Sequence, residues 1–122
     1  MEFELNGIYY KIVEISQKEY KELRKKEDEN DGCNSDDTKT GIYLGATHYK
    51  TCTIYLDKDM PMERKIKTLY HELGHCYINE FIGHENNNFS EENVCDIIAN
   101  SHAMIESIVR RFLGCSYETI IK

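Results

Sequence analysis

Residues 61–81 read PMERKIKTLYHELGHCYINEF, from Pro61 to Phe81. Ile66, Leu69, Tyr70, Leu73, Cys76, Tyr77 and Phe81 recur at three- and four-residue intervals, the period of one helix face. The segment therefore predicts an amphipathic helix, with Asp59 as its N-cap and Pro61 in its first turn. Inside it, His71 to His75 spell HELGH, an instance of HExxH. At about 100° per residue the two histidines lie roughly 40° apart and one turn apart, so both imidazoles can reach one ion. They fall away from the apolar stripe, toward a cleft. Zinc takes neutral imidazole ligands and acidifies a water, and Glu72 beside the ion has the chemistry of a general base. With 5 His in 122 residues, composition gives an accidental match a chance of roughly 0.02, so coincidence is the weaker reading.

Two histidines leave a zinc shell short of protein donors, which directs attention to the next helical pattern. Gly83 should end the first helix. Residues 83–89, with His84 and three consecutive asparagines, read as a surface connection. Ser90 then caps a helix from Glu91 to Phe112, with Arg110 and Arg111 in its last turn and Gly114 beyond it. Val94, Ile98, Ile105, Ile108, Val109 and Phe112 form its expected core stripe. Glu92 and Asp96, four apart, share a face: Glu92 is the candidate third ligand. Asp96 is the candidate acceptor for a ligand histidine's other ring nitrogen, which would fix its tautomer. The competing role for Glu91 and Glu92 is to complement the helix N-terminus. Cys95 and Ala99 are small enough to let the two helices approach, and Cys76 and Cys95 are expected as core residues. Residues 116–122 read as either a short strand or a tail.

Upstream of the metal helix, the pattern changes to strands. Phe3–Leu5 and Ile8–Ile15 flank Asn6-Gly7, a pair suited to a type I′ hairpin turn. Ser16 and Glu19 form a capping box that opens a short charged helix over 17–26, anchored by Tyr20 and Leu23. Residues 27–40 are acidic and poor in apolar side chains, and are expected as a mobile loop without EF-hand spacing. Gly41–Gly45 and Thr51–Leu56 read as two further strands. The second, if it forms the sheet edge beside the metal, could pair with an extended peptide. The fold class expected is α+β: a small, mostly antiparallel sheet packed on two long helices, in one domain over 1–122.

Composition narrows the partners. The formal net charge of −7 disfavours nucleic acid and anionic membrane. No apolar run approaches the roughly 18 residues of a membrane span. Five cysteines, an odd number without a CxxC pair, and an N-terminus without a signal-like segment point to reduced thiols and a cytoplasmic location.

Two motifs together, HELGH at 71–75 and the E-x-V-C-D-x-I-A run from Glu92 to Ala99, resemble those of the ImmA/IrrE-like zinc metallopeptidases of phages and mobile elements. The resemblance spans about Thr51 to Asn100. It departs from the family's second motif at Val94, Cys95, Asp96 and Ile98, and matches it at Glu92. What it implies is a zincin-like minimal metallopeptidase domain holding one Zn2+ per chain through His71, His75 and Glu92. The implied activity is cleavage of a peptide bond in a regulatory protein such as a repressor. An inactive, antirepressor-like zinc-binding module using the same cleft is the alternative. A metzincin pattern is excluded, since Ile78 and Phe81 stand where it needs Gly and His. His48, Tyr49, His84 and His102 are weaker candidates for polarising a carbonyl.

Overall fold

The computed structural model describes residues 1–26, 34–37, 42–83 and 89–121. In chain order it contains β1 (Glu2–Leu5), β2 (Ile8–Ile15), α1 (Gln17–Lys26), β3 (Asn34–Asp37), β4 (Ile42–His48) and β5 (Thr53–Asp57). These are followed by α2 (Met62–Tyr77), a π-helical turn (Ile78–Ile82) and α3 (Glu91–Ile121). The class is α+β, with a five-stranded sheet in the order β1-β2-β5-β4-β3. Among the described residues the β2–β5 pairing is the parallel one, and the other three are antiparallel.

Local chemistry accounts for the first elements. Asn6 and Gly7 both take positive φ, 52° and 83°, the backbone that a two-residue hairpin turn demands. The Ser16 hydroxyl accepts from the Glu19 amide at 3.1 Å while the Glu19 carboxylate accepts from the Ser16 amide at 3.2 Å, closing the capping box of α1.

The period-2 alternation of strands puts different side chains on each face of the sheet. Ile12, Ile54 and Leu56 face α2 and α3, meeting Leu69, Leu73, Ile105 and Phe112 in the larger core. Val13 and Tyr55 point the other way, and Tyr55 joins Tyr20 and Leu23 of α1 with Tyr43 and Ala46 of β4. Each fully buried aliphatic side chain contributes about 1.5–3 kcal/mol. The sheet thus lies between α1 and the α2–α3 pair, and α2 is pinned along β4 and β5.

Several expectations are corrected. Asn34–Asp37 pairs antiparallel with β4 as the outermost strand, although it lies inside the span expected as a loop. An edge strand needs backbone partners on one side only and tolerates charge, so its acidity hid it. The rest of the loop, 27–33 and 38–40, lies outside the described residues. β5 is an interior strand between β2 and β4, not an edge open to a peptide. It begins at Thr53 because Cys52 takes a turn conformation, φ 49°, with its amide bonded to the Tyr49 carbonyl at 3.3 Å.

The α2 N-cap is Pro61, in extended backbone, whose carbonyl takes the first helical bond from Lys65. Asp59 is held in the preceding turn, where its amide donates to the Asp57 carboxylate. Gly83, at φ 91°, ends the π-helical turn as anticipated, its amide bonding back to the Ile78 carbonyl. Tyr70 and Phe81, placed on the apolar stripe, are exposed.

Ser90 caps α3 through the Asn93 amide. The helix then runs past Gly114 to Ile121, where a stop and then a strand or tail were expected. A helical glycine costs about 1 kcal/mol against alanine and does not by itself end a helix unless it turns left-handed. The expected stripe of α3 is divided. Ile105, Ile108, Val109 and Phe112 are buried, whereas Val94 and Ile98 are 44% and 61% exposed. Cys95, expected in the core, is also exposed. Among the described residues, no helix is long and apolar enough to cross a membrane.

Candidate metal centre

The site begins with how closely α2 approaches β4. A Cβ on Gly45 would lie 2.6 Å from the Thr68 Cγ2, so the missing side chain is what admits the helix. Two residues along the strand rise about 6.7 Å and four along a helix about 6 Å. Gly45 and Thr47 on β4 are therefore matched in spacing to Thr68 and Glu72 on α2. The match is realised: the Thr47 hydroxyl donates to Glu72 Oε1 at 2.8 Å. Both residues are fully buried, at 0% exposure.

The other carboxylate oxygen, Glu72 Oε2, lies 4.0 Å from His71 Nε2. His71 and His75 bring their Nε2 atoms to 3.1 Å, with the rings nearly perpendicular at 81°. His71 is exposed and His75 half-buried, so the pair lies between solvent and the buried carboxylate.

Two nitrogens on a tetrahedral zinc with Zn–N of about 2.0–2.1 Å stand roughly 3.3–3.4 Å apart. The observed separation is within a few tenths of an ångström of that edge, so the pair fits two positions of such a shell. It also suits a hydrogen bond between two neutral imidazoles, one donating through Nε2–H and the other accepting. His71, Glu72 and His75 are thus brought together. Glu92 and Asp96 are exposed on the N-terminal half of α3. Among the described residues no group of three His, Cys, Asp or Glu side chains is assembled to hold a metal. The spacing of Cys95 and Ala99 does not bring the helices together there either, since both are exposed.

On its own helix Glu72 has the buried Thr68 and Cys76 one turn to either side. Cys76, one turn on, is buried, and burial pushes its thiol well above the usual range. The nearby Glu72 carboxylate adds to that push, and a side-chain hydrogen bond with Thr47 acts against it. Lys65, also buried, pairs with Glu14 of β2 and donates to the Lys58 carbonyl. Past the helix, Tyr10 donates to the Glu80 carboxylate, which also accepts from Asn79. Burial first and the Glu80 bond second raise the Tyr10 phenol far above its ordinary value.

The remaining histidines are elsewhere. His48 follows Thr47 on β4 and so faces the opposite side of the sheet, buried against Tyr20 and Tyr55. His102 is exposed, its Nδ1 beside the Ala99 carbonyl at 3.1 Å. His84 lies outside the described residues. Thr47 is the member of the site that sequence reading missed. Its available signal was the alternation of β4, which puts Thr47 and Gly45 on one face. Compared with protein-family models, with curated proteins and with solved structures, the chain matches none.

Proposed function

We propose that this chain is a zinc-dependent endopeptidase with a zincin-like site. One observation carries the reading: two imidazole nitrogens converge to 3.1 Å on the face where a fully buried carboxylate ends, 4.0 Å away. His71 and His75 would hold the ion, with Glu92 as the proposed third ligand and Asp96 as a hydrogen-bond acceptor near it. Zinc, when bound, supplies an acidified water and a Lewis acid for the scissile carbonyl. Glu72 takes the proton of the attacking water at Oε2 and returns it to the leaving amine. Its low-dielectric surroundings hold it away from bulk solvent, which favours proton transfer at one oxygen.

The substrate class proposed is a regulatory protein such as a repressor, in a reducing compartment such as the cytoplasm. A net charge of −7 supports a protein partner over nucleic acid or an anionic membrane. The experiment pairs metal analysis with co-expression. Chain purified without chelator should carry about one zinc. Wild type, but not Glu72→Gln, should cleave a candidate regulatory protein expressed beside it. A metal-free wild-type chain would overturn the reading.

A second reading, a zinc-binding interaction module without turnover, draws on the exposed Val94 and Ile98, which continue the stripe of the buried Ile105. It expects equal partner binding by wild type and Glu72→Gln, with no cleavage by either.

A further inference from the structure

We infer that Thr47 is the positioning residue of Glu72: its hydroxyl anchors one carboxylate oxygen so that the other is presented to the His71–His75 pair. The inference rests on the zinc-peptidase reading above.

A glutamate side chain has three rotatable bonds, and a carboxylate that must meet a proton at one place loses effectiveness if it samples several rotamers. Packing alone fixes the aliphatic part of Glu72 between β4 and α2. The terminal torsion is broad and roughly two-fold, so packing leaves the oxygens poorly discriminated. A directed hydrogen bond removes that freedom. Thr47 has one hydroxyl proton; the Cys76 thiol beside it is kept protonated by burial and does not compete for that proton, which goes to Glu72 Oε1 at 2.8 Å. With Oε1 tied to the strand, Oε2 is the oxygen that stands 4.0 Å from His71 Nε2. That gap is too long for a direct hydrogen bond.

The anchor is itself rigid. Thr47 is β-branched and fully buried, which restricts its χ1. It lies in a ladder with β5, opposite Ile54. Gly45, two residues earlier, sets the helix-to-strand distance that the bond requires. The two oxygens of one carboxylate therefore have separate tasks, one structural and one chemical.

The test uses the full chain and the substitutions Thr47→Val, which keeps shape and removes the donor, and Thr47→Ser, which keeps the donor. In metal-free protein, Thr47→Val and Glu72→Leu, which removes the acceptor, should be coupled: the double variant's change in Tm should differ from the sum of the two single changes. Strict additivity overturns the contact. With cobalt as the metal probe, Thr47→Val should displace the visible absorption band in the same direction as Glu72→Gln, while Thr47→Ser retains the wild-type band. A wild-type band in Thr47→Val overturns the positioning role. Wild type that takes up no cobalt and no zinc, yet keeps the coupling, overturns the zinc-peptidase reading and with it the role assigned to Thr47, leaving only a structural bond. On a cleaved substrate, kcat should fall with KM little changed in Thr47→Val and recover in Thr47→Ser.

Discussion

Gly45 and Thr68 face each other across the β4–α2 contact at a distance that excludes even a methyl group, since a Cβ on Gly45 would meet the Thr68 Cγ2 at 2.6 Å. Gly45 does not take a positive φ, so alanine is allowed by the backbone and would gain about 0.4–1 kcal/mol from a less flexible unfolded chain. The clash outweighs it. Overpacking of this kind costs about 1–3 kcal/mol, and Thr68 is buried and, being β-branched, restricted in its χ1.

Gly45→Ala is accordingly expected to lower stability by about 1–2 kcal/mol net, and to weaken zinc retention by displacing Glu72 and the histidines with the helix. Combining it with Thr68→Ala should cost less than the sum of the two. Chemical denaturation of the four chains measures this; additive losses would show that the glycine is not there for close approach.

Along α3, truncation should distinguish the two halves of one apolar stripe. Ile105→Ala removes a buried side chain and should cost about 2–5 kcal/mol. Ile98→Ala, at a position 61% exposed, should stay within about 0.5 kcal/mol of wild type. Equal losses in urea denaturation would place Ile98 in a covered interface.

That division marks where the sequence could be read and where it could not. Helix period, capping chemistry and the Asn6-Gly7 turn are local, and the elements they specify form close to the expected residues, apart from the α2 cap, which is Pro61 rather than Asp59, and α3, which continues past Phe112 to Ile121. The HExxH spacing is local too, and it delivers His71 and His75 to one face with the buried Glu72 beside them. Which stretch of a stripe finds a partner is a tertiary matter: Val94 and Ile98 have the same period as Ile105 yet lie outside the core. The edge strand at 34–37 is held by backbone pairing, to which side-chain patterns are blind. Thr47 was invisible for a related reason, because its role depends on the register between a strand and a helix 25 residues away.

Alkaline pH should unfold the chain through its buried acids. Burial holds the Tyr10 and Tyr43 phenols and the Cys76 thiol well above their ordinary values, with the Glu80 bond adding to the first, Asp57 to the second and Glu72 to the third. A raised folded value means that the native state keeps a proton the unfolded chain releases. The stability each group contributes is thus complete below its unfolded value, about 8.5 for the thiol and about 10 for the phenols, and is lost as pH rises beyond it. Each group should add about 1.4 kcal/mol per pH unit to the decline. Urea midpoints between pH 7 and 11 measure it. Tyr10→Phe should be less stable at pH 7, through loss of its bond to Glu80, and shallower in its alkaline fall; parallel curves would refute the assignment.

Thiol labelling gives an independent check on burial. The thiolate is the reactive species, so the order of alkylation in the native protein should be Cys95, exposed, then Cys52, half-buried, then Cys76, buried and held protonated. Peptide mapping after timed alkylation reads the order. Rapid labelling of Cys76 under native conditions would mean that the α2–β4 contact opens, and that Glu72 is not enclosed as described.

Metal-dependent stability separates the roles within HELGH. A ligand that binds only the native state adds RT ln(1 + [L]/Kd), about 2.7 kcal/mol at a hundredfold excess over Kd. Wild type should therefore show a Tm that rises with zinc. His71→Ala and His75→Ala each remove one of the two converging nitrogens, leaving a single imidazole, and should lose both the retained zinc and the zinc-dependent rise. Glu92→Gln should weaken the rise if that residue completes the shell. Glu72→Gln should behave differently. Its carboxylate stands 4.0 Å from His71 Nε2 and is tied to Thr47, so the variant should keep its zinc and the rise in Tm while losing hydrolysis. Should the histidine variants respond to zinc as wild type does, the 3.1 Å pair is an imidazole–imidazole hydrogen bond on a helix surface and the metal lies elsewhere.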